Sequence, residues 1–227
     1  MAAESRHAPE SPLLLHGYWR SSSAYRVRIA LNLKGLEYEQ RAVNLVRGGG
    51  EQNSADYRTI NPLGLVPALV HGDQTIVQSV AICEYLEEVF PATLLLPPDA
   101  PGRARVRSIV QSIASEIQPL NNLGVTRYLG DVMEQDGAAV RRWYGHWIAR
   151  GFAAVEAWLS AAETGRFCHG DYPTMADCFL VPQVYNAERF GCDLEPYPRL
   201  MRITALCRTL DAFSRAAPEN QADAARD

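Results

Sequence analysis

The sequence lacks the patterns that would commit it to several chemistries. Its five cysteines, Cys83, Cys168, Cys178, Cys192 and Cys207, are an odd number and include no C-x-x-C pair. That argues against a disulfide framework and against a zinc cage. Most of them have apolar neighbours and read as small buried hydrophobes. The five histidines are scattered, with no i, i+4 pair beside a carboxylate, so no metal site is expected. Basic residues are not in excess: 22 Lys and Arg face 26 Asp and Glu, a formal charge of −4. Nucleic acid is therefore not expected as a partner. No apolar run approaches the ~20 residues that a bilayer requires. The opening MAAESRHAPE has no apolar core of the secretory kind, so a cytoplasmic location is expected and no membrane partner.

What is present is an ordinary globular composition, 47% hydrophobic, in a chain of 227 residues. That length fits one large domain or two small ones, and folding at this size buries about 70% of the surface of the open chain.

The first eleven residues read as a frayed polar tail. Leu13-Leu14-Leu15 then reads as a short buried strand. After the loop Gly17–Ser23 a helix is expected to run to Lys34, with serine as N-cap and Gly35 as its stop. Val27, Ala30 and Leu31 mark its apolar face, and Arg26, Arg28 and Lys34 are expected to reach water. Tyr38 to Asn44 reads as a second strand. Residues 46–60 read as loop with one short helix around Ser54–Thr59. Val66–Val70 and Thr75–Val77 form a hairpin about Gly72-Asp73, and Ser79–Phe90 is a helix. The order β-α-β, loop, β-β-α resembles a thioredoxin-like layer.

Residues 91–102 carry Pro91, Pro97, Pro98 and Pro101, a stiff connection where helices cannot continue. Domains are therefore expected at 12–92, thioredoxin-like α/β, and at 99–218, all-helical. In the second, Val106 to Leu120 and Val140 to Leu159 keep helical spacing. Thr174-x-x-Asp177 is a capping-box start, and Leu200 to Phe213 form a last helix before a polar tail beyond Pro218. Trp143, Trp147 and Trp158 read as core or interface, and His16 and His71 as packing or surface residues.

Three features bear on chemistry. Ser21-Ser22-Ser23 opens a helix, where free N–H groups and the dipole favour an anion and lower the pKa of a nearby thiol; plain capping is the simpler reading. Pro67 follows Val66 at the start of a strand. A cis bond there would leave the Val66 backbone free to pair with an extended peptide, and an edge-strand proline with no function is the alternative. Gln78-Ser79 offers a second helix N-terminus, a hydroxyl and an amide suited to a carboxylate, or simply another cap.

Together these features resemble the glutathione site of the glutathione transferase superfamily, over about residues 12–218. Arg20-Ser21-Ser22-Ser23-Ala24-Tyr25-Arg26-Val27-Arg28-Ile29-Ala30-Leu31 is similar to the zeta-class signature, as are Asn61-Pro62, Val66-Pro67-Ala68-Leu69, Ile117-Gln118-Pro119, Val181-Pro182-Gln183-Val184 and Asn186–Phe190. The resemblance implies a glutathione transferase fold and glutathione as cofactor. It further implies a homodimer and a small acidic substrate of the cis-dicarboxylate type.

By the same resemblance Ser21 and Ser22 face the sulfur, and Ser23 lies beside them. Gln52, Val66, Pro67, Gln78 and Ser79 hold the tripeptide. Gln118, Asn122 and Arg189 face it, or the substrate, from the second domain. Arg20 and Arg189 clamp carboxylates, since guanidinium binds them through paired bonds. Ser23 stands where the family carries cysteine, so no thiol of the chain can act in this loop. The implied activity is cis–trans isomerisation of maleylacetoacetate in tyrosine and phenylalanine breakdown. Isomerisation of maleylpyruvate is the nearest alternative, and Gln118 follows the maleylacetoacetate pattern where several relatives of the other type carry His. A transferase acting on haloacids and a non-catalytic module of the same fold are the further readings.

Overall fold

In this computed structural model residues 11–224 are described; most of the expected N-terminal tail, residues 1–10, lies outside them. Four strands, β1 (Leu13–Gly17), β2 (Tyr38–Ala42), β3 (Ala68–His71) and β4 (Gln74–Val77), form one mixed sheet in the order β2-β1-β3-β4. β1 and β2 are parallel, joined by α1 (Ser22–Leu33), and β3 runs antiparallel to both β1 and β4. Leu15 sits centrally, opposite Gln40 on one side and Leu69 on the other. α2 (Ala55–Ile60) is capped by Ser54, and α3 (Ser79–Val89) follows the hairpin.

The ends of α1 follow from their residues. Ser21 caps it by accepting the Ala24 N–H at 3.2 Å. Gly35, at φ +68°, ends it, and the Gly35 and Leu36 N–H groups return to the Asn32 and Leu31 carbonyls.

The expectation that Arg26, Arg28 and Lys34 reach water is wrong. All three are buried, because α1 packs on α3 and is also covered by α7 (Met175–Arg189) and α9 (Asp211–Ala216). Two of the charges are fully met internally. Lys34 Nζ donates to Glu87 Oε2 at 2.9 Å and to the Phe90 and Thr93 carbonyls. Arg28 donates to the carbonyls of Ala216, Tyr18 and Trp19.

Beyond Val77 no strand occurs among the described residues. The connection ends earlier than expected, at Asp99. Pro101 already lies in the first turn of α4 (Ala100–Gln111), where its missing N–H costs nothing. The expected single helix from Val106 to Leu120 is also interrupted. α4 gives way to a wide helical turn at Ser112–Ile117 and a tight one at Gln118–Asn121 containing Pro119, which has no N–H for an α-helical bond. The short α5 (Leu123–Arg127) and the long α6 (Gly137–Trp158) follow.

α7 begins at the capping box. Asp177, fully buried, accepts the Thr174 and Cys168 N–H groups at 2.8 and 2.9 Å. The last expected helix is two, α8 (Pro198–Arg208) and α9, broken where Leu210 turns extended at ψ 135°. The C-terminal segment is not a free tail. Asp223 accepts the Trp19 N–H at 2.9 Å and a Gln40 amide bond at 3.4 Å. One core runs through the whole, from Leu15, Leu69 and Ile82 to Ile109, Phe152 and Phe179.

Candidate active site

Two adjoining clefts lie between the sheet layer and the helical part, about 470 Å³ and 150 Å³ in volume. Ser21, Gln118 and Asn122 line both. The first cleft also gathers Ser23, Gln52, Val66, Pro67, Gln78 and Ser79. The second gathers Arg20, Ser22 and Arg189. Every residue that the sequence resemblance implies for the site thus lies on one cleft or the other, brought there from positions as far apart as Arg20 and Arg189.

Local structure explains the placement. Ser21 and Ser23 open the first cleft at the positive end of α1, while Ser22, only 6% exposed, turns to the second. Because Ser21 Oγ accepts the Ala24 N–H, its own proton is left to donate. The Val66–Pro67 peptide is cis, and both residues line the first cleft just ahead of β3. Tyr57 and Asn61 fix the preceding carbonyl, both donating to Leu65 O at 2.8 and 2.7 Å.

Gln78 precedes α3 at φ +71°, ψ 120°, a conformation rare for a residue with a side chain. Strain of this kind concentrates at functional sites. Gln52 is held by its neighbour: Gly50 is at φ +103°, and a side chain there would collide with the Gln52 amide. Gln52 Oε1 is buried without a partner.

Arg20 and Arg189 enter no ion pair among the described residues. Arg20 lies 4.9 Å over the Trp19 ring and donates weakly to the Tyr18 hydroxyl at 3.5 Å, while Arg189 lies over Phe190. Both charges remain available to a ligand.

Sequence reasoning missed several lining residues. Arg26 and Arg127 border the first cleft, and Tyr18 and Asn121 border the second. Arg26 carried a usable signal, being an arginine flanked by apolar residues within the zeta-like signature. Arg127 and Asn121 carried none, since each arrives from a segment whose path the sequence does not reveal. The remaining candidates stay structural. Cys83, Cys168, Cys178 and Cys207 are buried and line neither cleft, and burial pushes the Cys83 thiol up to about 12. His16 is buried against Tyr57, with burial and then the Arg41 charge holding it below its ordinary value. His71 pairs with the Tyr85 hydroxyl. Trp143 donates to Leu120 O, whereas Trp158 is 42% exposed. No cluster able to hold a metal occurs among the described residues.

A thioredoxin-like sheet followed by helices, with paired helix N-termini around a polar cleft, defines the class as glutathione transferase. Residues 11–88 match the family described as Glutathione S-transferase, N-terminal domain. The chain is 49% identical over 212 residues to a probable maleylacetoacetate isomerase of Vibrio cholerae, covering 93% of this chain and 98% of that one. It superposes on a bacterial zeta-class maleylpyruvate isomerase with TM-score 0.90 at 47% identity, covering 92% and 99% of the two chains. It also superposes on a maleylacetoacetate isomerase of Anaeromyxobacter dehalogenans with bound glutathione, TM-score 0.83 at 49% identity, covering 95% and 100%. The chain belongs to the zeta class of the glutathione transferases.

Proposed function

We propose that this chain is a glutathione-dependent isomerase that converts maleylacetoacetate to fumarylacetoacetate. The observation that carries the reading is Ser21, a helix N-cap with a free proton, standing where the two clefts meet. The first cleft suits the tripeptide: it offers unpartnered buried groups on Gln52 and Arg26 and an open helix N-terminus at Ser79. Bound there, glutathione supplies a thiol nucleophile that relaxes the double bond of the substrate and is returned unchanged.

The chain's own residues supply the rest. Ser21, with Ser22 and Ser23 in the same turn, stabilises the sulfur anion by hydrogen bonding and by the α1 dipole. Gln78 and Ser79 hold the γ-glutamyl end, Gln52 and the Val66 backbone hold the middle of the tripeptide, and Pro67 shapes that wall. Gln118 and Asn122 close the cleft from the helical side. Arg20 and Arg189 hold the carboxylates and offset the charge that develops on the substrate ketone oxygen.

A maleylpyruvate isomerase is the second reading, supported by the similarity to the zeta-class protein of that name. We place the domain boundaries at 12–92 and 99–218. We read the protein as a cytoplasmic homodimer acting in tyrosine and phenylalanine breakdown. No helix among the described residues is long and apolar enough to cross a membrane.

The test is purified protein with each of the two substrates, with and without glutathione, following the trans product. Product from maleylacetoacetate alone, and only with glutathione, is the expected result. Product from maleylpyruvate alone would establish the second reading, and product from neither would overturn both.

A further inference from the structure

The segment that follows α9 reaches back to the loop carrying Arg20 and Ser21. Two bonds fix α9 to α1: Arg28 Nε donates to the Ala216 carbonyl at 3.0 Å, and Asn32 Nδ2 to the Ala212 carbonyl at 2.9 Å. The segment is folded onto the end of α9, with Gln221 Nε2 donating to the Arg215 and Ala217 carbonyls at 2.8 Å each. That path delivers Asp223 to Trp19, 204 residues away in sequence, where its Oδ2 accepts the Trp19 N–H at 2.9 Å. The Trp19 carbonyl is held too, by Arg28 Nη2 at 2.9 Å, and the Ser21 N–H closes the turn on the Tyr18 carbonyl at 3.0 Å. Both main-chain polar groups of Trp19 are thereby anchored. Its ring lies under the Arg20 guanidinium, 4.9 Å away, a placement the ring's electrons favour. Arg20 in turn borders the second cleft.

We propose that Asp223 is a positioning residue for the substrate: by holding the Trp19 N–H it fixes the ring on which Arg20 rests, and so sets the Arg20 guanidinium at the second cleft. An arginine stem that is free to rotate loses that freedom when it binds a carboxylate. A stem already placed loses less, and the substrate binds more tightly. The proposal rests on reading Arg20 as a clamp for the substrate carboxylates. It goes beyond that reading by giving the segment after α9, which borders neither cleft, a part in substrate binding.

The experiment is steady-state isomerisation with maleylacetoacetate varied at saturating glutathione, alongside calorimetric glutathione binding and amide hydrogen exchange. The proteins are the wild type, Asp223→Ala, Asp223→Asn, Arg20→Ala and the double variant of Arg20→Ala with Asp223→Ala. Asp223→Ala should raise the KM for maleylacetoacetate by about 5- to 10-fold, with kcat and glutathione affinity within about 2-fold of wild type. Amide exchange should quicken in the segment 18–21. Asp223→Asn keeps an oxygen acceptor for the Trp19 N–H and should recover most of the loss. In the Arg20→Ala background Asp223→Ala should add nothing, because its effect passes through that guanidinium. An unchanged KM in Asp223→Ala, an additive double variant, or an Asp223→Asn as impaired as Asp223→Ala would each overturn the proposal. So would a parallel loss of kcat and glutathione affinity, which would mark a general structural role. If Arg20→Ala left the KM unchanged, the clamp reading would fail and the proposal with it. A wild type inactive on maleylacetoacetate would instead overturn the functional reading on which both depend.

Discussion

The two clefts share five residues, Ser21, Leu45, Gln118, Asn122 and Leu123, and differ in how they carry charge. The first is walled by helix N-termini and main chain; of its two cations Arg26 is sunk into the wall, and Arg127, half-buried, donates to the Leu45 carbonyl at 3.3 Å. The second is a third of the size, and its cations, Arg20, half-buried, and Arg189, exposed, enter no ion pair among the described residues. Fixed donors suit a ligand that must be held in one conformation. Long-stemmed guanidinium groups that reach water suit one that must turn about a bond while its carboxylates stay bound. The difference teaches that positioning and turnover are assigned to separate walls, and that Ser21 serves both.

If so, Ser21→Ala should do the most damage. Loss of the hydrogen bond to sulfur should lower turnover by about 10²-fold and raise the pKa of the bound thiol. Stopped-flow turnover, with thiolate absorbance read across pH, checks both effects. Ser22→Ala should fall short of this, because Ser22 borders the second cleft alone. Next in size is Arg189→Leu. It should lower kcat/KM for the acidic substrate by between about 10- and 100-fold, while calorimetry finds glutathione affinity unchanged. A matching loss of glutathione affinity would break the separation of the clefts.

Gln78→Ala should show the reverse pattern, raising the KM for glutathione by about 5- to 10-fold with kcat at saturation preserved. Steady-state kinetics with each ligand varied in turn would test it. Smallest should be Ser23→Cys. It restores the residue usual in the family at a position flanking the first cleft, and turnover should change by less than about 2-fold.

The sequence made the local features plain. Ser21 and Gly35 marked the ends of α1, Gly72-Asp73 marked the hairpin, and Thr174 with Asp177 marked the start of α7, because each signal acts over a few residues. What it hid depends on cover supplied from a distance. Arg26, Arg28 and Lys34 look like a wet face until α7 and α9 close over α1, and nothing near them announces that closure. The break at Leu210 and the return of Asp223 to Trp19 are likewise products of tertiary packing.

The site follows the same division. Ser21, Val66-Pro67 and Gln78-Ser79 were readable as short motifs whose chemistry is their own. Arg127 and Asn121 were not, since their roles as lining come from the irregular turns between α4 and α6 that bring them to the clefts.

The central claim is that the chain uses the glutathione thiol catalytically and returns it. The most direct measurement supplies glutathione well below the substrate concentration and counts trans product formed per glutathione, alongside total free thiol. Many turnovers per glutathione, with free thiol unchanged, is the predicted result. Product that stops at one equivalent, with thiol consumed into a conjugate, would contradict the account and mark the protein as a transferase.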